Sequence, residues 1–129
     1  MAEVKSTPKN VLGTPLKPCC QRLKTGFFRT GGCETNEDDV GIHTVCVRTT
    51  EKFLAFSQQA GNDLSTPRPE YGFPGLKPGD CWCVCALRWK QAAEAGFAAP
   101  LDLEATEEST LNYMPLSLLL ANAVPEQRN

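Results

Sequence analysis

Histidine occurs once in the chain, as His43, and that scarcity removes whole classes of chemistry. A catalytic zinc held by two or three imidazoles is excluded, and with it any H-E-x-x-H helix. No stretch approaches the ~18 consecutive apolar residues that cross a bilayer. The opening MAEVKSTPKN lacks the apolar core of a secretory leader. The protein is therefore expected in the cytoplasm, away from membranes, with its thiols kept reduced. An excess of one charge is missing too. Thirteen Lys and Arg face 15 Asp and Glu, for a net charge of -2, so nothing favours a polyanionic partner. The early basic residues Lys5, Lys9, Lys17, Arg22, Lys24 and Arg29 read as a solvated face, and nucleic acid is not expected as a partner.

Several signature motifs fail on a single residue or spacing. GFFRTGG has glycines at P-loop spacing, but Gly32-Cys33 stands where Lys and Ser/Thr must follow, so nothing would hold the β- and γ-phosphates. There is no dinucleotide fingerprint and no G-x-S-x-G elbow. ETNEDDVG supplies Glu34, Glu37, Asp38 and Asp39 without calcium-loop spacing, and reads as a solvated acidic turn.

The residues that are present describe one ordinary domain, 41% apolar and 22% charged, as in a soluble globular protein. Residues 1–9 read as a disordered start, and 10–129 as a single domain. NVLGTPL (10–16) reads as a short, irregular strand, followed by a long ordered loop over 17–42. HTVCVRTT (43–50) is β-branched and alternating, which predicts a strand. EKFLAFSQQAG predicts a helix with Thr50 as N-cap and Gly61 as its stop. The segment 61–80 carries four prolines and four glycines and reads as an ordered loop ending in a Pro-Gly turn. KQAAEAG continues a helix beginning near Arg88 and ending at Gly96. APLDLEAT (99–106) alternates as a half-buried strand, and PLSLLLANAV (115–124) reads as a last helix with Pro115 in its first turn. The expected class is α+β: a small mixed sheet covered by helices, with long ordered loops.

Cysteine is the residue in surplus. CWCVCALRW, residues 81–89, holds three of the seven. As a strand, 81–86 puts Cys81, Cys83 and Cys85 on one face and Trp82, Val84 and Ala86 on the other. A helix from Asp80 is the rival and would send Cys83 away from the other two. The Pro-Gly turn leading in, and the β propensity of Trp and Val, favour the strand. Seven is an odd number, which argues against a complete disulfide framework, so no disulfide is expected. Structural zinc takes pairs at C-x₂₋₄-C spacing. Among Cys19-Cys20, Cys83/Cys85 and His43/Cys46, only the last has it, and on an extended strand those two side chains point apart. The preferred reading is a cluster of Cys46, Cys83 and Cys85 that is metal-free and structural. As an alternative, Cys46, Cys83 or Cys85 is a nucleophile with His43 as base. In the other alternative, Cys19, Cys20, Cys33, His43, Cys46, Cys83 and Cys85 supply metal ligands, with zinc the cofactor they would take. In GNDLSTPRPE, Asn62, Asp63, Ser65 and Thr66 either bind a ligand or cap turns.

Taken in order, NVLGTPLKPCC, TGFFRTGGC, DVGIHTVC, GNDLSTPRPEYGFPGLKPGDCWCVCALRW and AAEAGFAAPLDLEAT resemble a family of small, mostly bacterial proteins known only as a domain of unknown function. The resemblance covers residues 10 to 124. It implies that Cys19, Cys20, Cys33, Cys46, Cys83, Cys85, His43 and the Asn62–Asp63 loop belong to the family pattern. This chain departs from that pattern at Gly32 and Glu107, where relatives carry cysteine and histidine, at Cys81, where they lack cysteine, and at Leu87, where they carry Ser or similar. The resemblance implies no activity. The expected function is that of a small cytosolic domain that binds a small ligand or a protein partner and contains a structural cysteine cluster. Its alternatives are a thiol-dependent enzyme or redox protein using His43, and a metal-binding protein.

Overall fold

The computed structural model describes residues 8–20, 25–26 and 30–127. Strand β1 (His43–Arg48) leads into helix α1 (Glu51–Gln59), strand β2 (Cys81–Cys85), helix α2 (Ala86–Glu94) and helix α3 (Leu116–Ala121). Short 3₁₀ turns lie at Pro69–Tyr71, Leu103–Ala105, Glu108–Asn112 and Pro125–Gln127. The fold is α+β. Its regular sheet is one antiparallel pair, with Val45 opposite Val84, Cys46 opposite Cys83, Val47 opposite Trp82 and Arg48 opposite Cys81. The mixed character expected of the sheet is confined to single-residue bridges: Leu101 meets Val47 antiparallel and Ala123 parallel.

Alternation along the two strands gives the sheet two different faces. Val45, Val47, Trp82 and Val84 point into the apolar core, where they join Phe53, Leu54, Trp89, Leu101 and Leu119. Helix α1 begins because the Thr50 side chain accepts from the Phe53 N–H at 3.1 Å, satisfying one of the helix's unpaired donors. Trp89 is wholly buried and donates its indole N–H to the Ala99 carbonyl at 2.9 Å, so its polar atom is not stranded in the core. The other face of the sheet carries cysteine: Cys46 and Cys83 pack with Cys33 and Ala105 in a separate buried cluster.

Four expected elements differ in the structure. NVLGTPL is a turn: buried Asn10 accepts from the Leu12 and Thr14 N–H groups through Oδ1 and donates to the Thr14 hydroxyl. Its side chain thus supplies the partners that a ladder would otherwise have provided. APLDLEAT narrows to the Leu101 bridges, because Asp102 caps the next 3₁₀ turn by accepting from the Glu104 N–H. Helix α2 starts at Ala86, not near Arg88, because Ala86 N–H still bonds the Ile42 carbonyl at 2.9 Å and strand passes directly into helix. The last helix is shorter than expected, with Pro115 as its N-cap. Of the expected disordered start, residues 1–7 lie outside the described residues, whereas Lys9 bridges Pro15. The loop 61–80 is tied down by Leu76 N–H to Leu64 O and by an Arg68–Phe73 bridge. Phe73 meets Trp82 edge-on at 5.2 Å.

Leu101 is fully buried and sits between β1 and the segment after α3. Leu101→Ala leaves a cavity that those bridges cannot collapse, and should cost about 2–5 kcal/mol. Urea unfolding should show a lower midpoint at unchanged slope, and an unchanged midpoint would contradict this packing.

Candidate functional site: a cystine layer beside a single free thiol

The loop after residue 16 lies across the cysteine face of the sheet. Cys19 and Cys20 both donate their N–H groups to the Gly31 carbonyl, at 2.7 and 2.8 Å. Gly31 N–H in turn bonds the Thr25 carbonyl. Buried Thr25 accepts the Cys83 N–H at 2.7 Å through its hydroxyl. Gly26 has φ +98°, and a Cβ there would collide with the Gly32 carbonyl and reach within 3.8 Å of Cys83 Sγ. Only glycine lets the backbone pass this close to the Gly32 carbonyl at a positive φ.

Six sulfurs are paired between this loop and the sheet: Cys19–Cys46, Cys20–Cys81 and Cys33–Cys83, with Cα separations of 5.6, 5.5 and 5.4 Å. The expectation of no disulfide is overturned. An odd count requires only that one thiol be left over, and here that thiol is Cys85. Cys46 and Cys83 do form the expected cluster, although each is bonded to a loop cysteine and not to the other. Cys85 is on the same strand face and outside that cluster. Cys81, which the sequence reading left out of every site, is one of the staples. Among the described residues, one set of sulfurs has metal-like proximity: Cys19, Cys33 and Cys46, whose Sγ atoms lie within 4.8 Å of one another. His43, Cys20, Cys83 and Cys85 are not in it.

His43 is placed elsewhere, opposite Cys85 at the end of the ladder, where β1 bulges between His43 and Val45. Directly opposed strand residues have Cβ atoms about 4.5–5.5 Å apart, so the His43 and Cys85 side chains start from adjacent positions across the strand pair. Asp39, with its side chain fully buried, accepts from His43 Nδ1 at 2.7 Å and from the His43 backbone N–H at 2.9 Å. The Thr35 hydroxyl also donates to Asp39 at 2.9 Å. A carboxylate only accepts, so Nδ1 is the donor in this bond, and in the neutral ring Nε2 is the acceptor. The ring lies over Gly41, where a Cβ would strike it. Ile42, between them, has φ +54°, a conformation costly for a β-branched residue. Cys85 is also the N-cap residue of α2, at the positive end of a helix dipole. An open groove of about 490 Å³ runs alongside, lined by Thr35, Asn36, Glu37, Asp39, Val40, Ile42, Ser109 and Tyr113. Glu107 is just beyond; its N–H bonds the Thr44 carbonyl and its carboxylate accepts the Ser109 N–H.

The Asn62–Thr66 loop is remote from this constellation in sequence and is built differently. Asp63 accepts from the Thr66 hydroxyl and from the Ser65 and Thr66 N–H groups. Those bonds, led by the Thr66 hydroxyl, hold its carboxyl below the ordinary value. Asp63 is therefore engaged as a turn cap. Its contribution to the loop is present above the unfolded carboxyl's ordinary value and is lost as pH falls through the lowered one.

The molecule is thus an α+β domain with a cystine layer and one unpaired cysteine placed across the ladder from its single histidine. The chain belongs to the family described as an uncharacterized protein conserved in bacteria (DUF2237), whose model matches residues 9–123. That membership brings no activity with it. No curated protein matches the chain.

Non-reducing peptide mapping of air-oxidised protein should recover the three bridges named above, with Cys85 as the one alkylated cysteine. A bridge that includes Cys85 would contradict the arrangement.

Proposed function

We propose that the domain is a thiol-dependent protein in which Cys85 is the reactive sulfur, His43 its proton acceptor and Asp39 the group that orients the imidazole. The carrying observation is the 2.7 Å Asp39–His43 bond at a ladder position directly across from the one unpaired cysteine. A nucleophile, a base and a third group orienting the base make up the general arrangement for an activated nucleophile. Asp39 is buried while the His43 side chain remains 42% exposed, so the carboxylate is fixed and the imidazole can meet a substrate. Thiol–disulfide exchange is the chemistry nearest to hand, because the strand bearing Cys85 carries two cystine sulfurs on the same face. The Cys85 sulfur attacks one sulfur of a disulfide, His43 Nε2 takes the thiol proton, and the departing thiolate leaves with a proton returned from the imidazolium. The products are one mixed disulfide and one thiol.

The reading as a ligand-binding domain draws on the 61–80 loop, where Tyr71 is 73% exposed. With the Asp63 carboxylate engaged within its own turn, that reading stands second. We also propose the cytoplasm as the location. No helix among the described residues is long and apolar enough to cross a membrane. In a reducing compartment the six paired cysteines would spend part of their time as thiols.

Native protein treated with an aromatic disulfide reagent should label at Cys85. His43→Ala and Asp39→Asn should slow that labelling roughly tenfold or more, since a positioned base contributes at least that much. Gly41→Ala should do the same by displacing the ring, with the far-UV spectrum unchanged. Equal rates in all four proteins would refute the assignment of roles.

A further inference from the structure

We propose that Cys19, Cys33, Cys46 and Cys83, once reduced, form a tetrathiolate site for a zinc-class divalent cation. The three sulfurs of Cys19, Cys33 and Cys46 lie within 4.8 Å of one another, and Cys83 Sγ is bonded to Cys33 Sγ. A tetrahedral zinc with bonds of about 2.3 Å needs its sulfurs about 3.8 Å apart; Cys19, Cys33 and Cys46 are already near that spacing, and Cys83, bonded to Cys33 but outside the 4.8 Å set, has to swing in once its bridge is cut. The backbone already sets up the set. Cys46 and Cys83 are register partners on adjacent strands, and Cys19 and Cys33 approach from the loop above them. Cys33, Cys46 and Cys83 are buried, with Cys19 half-buried at the edge. A closed site with four soft ligands is the structural type, without an open position for a substrate. The strand amides beside the sulfurs are already satisfied, Cys83 N–H by Thr25 Oγ1 and Cys46 N–H by Thr106 Oγ1, so side-chain rotation can close the site without leaving an amide unpaired.

The chemistry balances with a phosphine as reductant. Each bridge consumes one phosphine and one water and yields one phosphine oxide and two thiols. The cation then displaces four protons from the four thiols. The layer would thus hold the loop to the sheet in both redox states, by sulfur–sulfur bonds when oxidised and by the metal when reduced. Cys85 and His43 take no part in it.

The test is an anaerobic cobalt(II) titration of phosphine-reduced protein. Saturation at one cation per chain is expected, with the intense visible bands and sulfur charge-transfer absorption of tetrahedral cobalt thiolate, all lost on adding zinc. Oxidised protein should show none of these bands. Cys20→Ser/Cys81→Ser, which removes only the bridge outside the set, should titrate like the wild type. Cys33→Ser should lose the four-sulfur spectrum. If the reduced chain has lost far-UV ellipticity, one equivalent of zinc should restore it. Absence of tetrahedral bands in the reduced wild type, the same spectrum in Cys33→Ser, or a reduced chain that zinc leaves unfolded would each overturn the proposal.

Discussion

Three covalent links between one loop and the cysteine-bearing face of a two-stranded sheet are the constraint on which the other features rest. A two-stranded ribbon is marginal by itself in water. Here one face is closed by the apolar core, where Trp82 and Val84 meet Phe53 and Trp89. Among the described residues, no α-helix packs on the other face. What covers it is Ala105 of the Leu103–Ala105 turn together with a loop rich in turn formers and charge, which the three bridges fasten to the strands. The bridges span 27, 61 and 50 residues. Loops of such lengths remove about 3–5 kcal/mol of chain entropy each from the unfolded state. The sum is smaller than three separate terms, because the closed loops overlap.

The same constraint explains why Cys85 is the thiol left over. The loop cysteines reach Cys46 and Cys83, which face each other across one rung of the ladder, and Cys81, which is at the next same-face position along it. At its far end Cys85 meets a bulge instead, and across the bulge is His43. The bulge and the left-handed Ile42 turn the chain so that the Asp39 carboxylate bonds both the backbone and the ring of His43. The thiol, the imidazole and the carboxylate therefore come from two strands and one turn whose geometry is set by the neighbouring cystines.

Much of this was legible in the sequence where local pattern and tertiary need agree. Alternating HTVCVRTT forms β1, Thr50 caps α1, and the face shared by Cys81, Cys83 and Cys85 follows from strand periodicity alone. Other features depend on partners distant in the chain. Leu101 alternates like a strand residue, but Asp102 turns the chain away after a single bridge. Asn10 looks like part of a strand until its side chain is seen filling the bonds of a turn. The disulfides were missed because counting cysteines says nothing about which ones the fold brings to bonding distance. The adjacent pair Cys19-Cys20, unusable as a zinc knuckle, suits a loop that must reach two strands at once, with Cys46 on one and Cys81 on the other. His43 stands out as a base by residue type alone, whereas its partner Asp39 looks in the sequence like part of a solvated acidic turn. The signal that could have found it is the i, i+4 spacing of Asp39 and His43 across Gly41, in a segment too tight for a regular helix.

The central claim is that the loop is held on the sheet by sulfur and not by packing of its own. Amide hydrogen exchange on oxidised and on phosphine-reduced protein, both in chelator-treated buffer, tests this residue by residue. Reduction should abolish protection at the Cys19, Cys20 and Gly31 amides, which carry the loop's internal bonds. The Val45, Val47 and Val84 amides of the core-facing ladder should stay protected. Protection at Cys19, Cys20 and Gly31 that survives reduction would contradict the account.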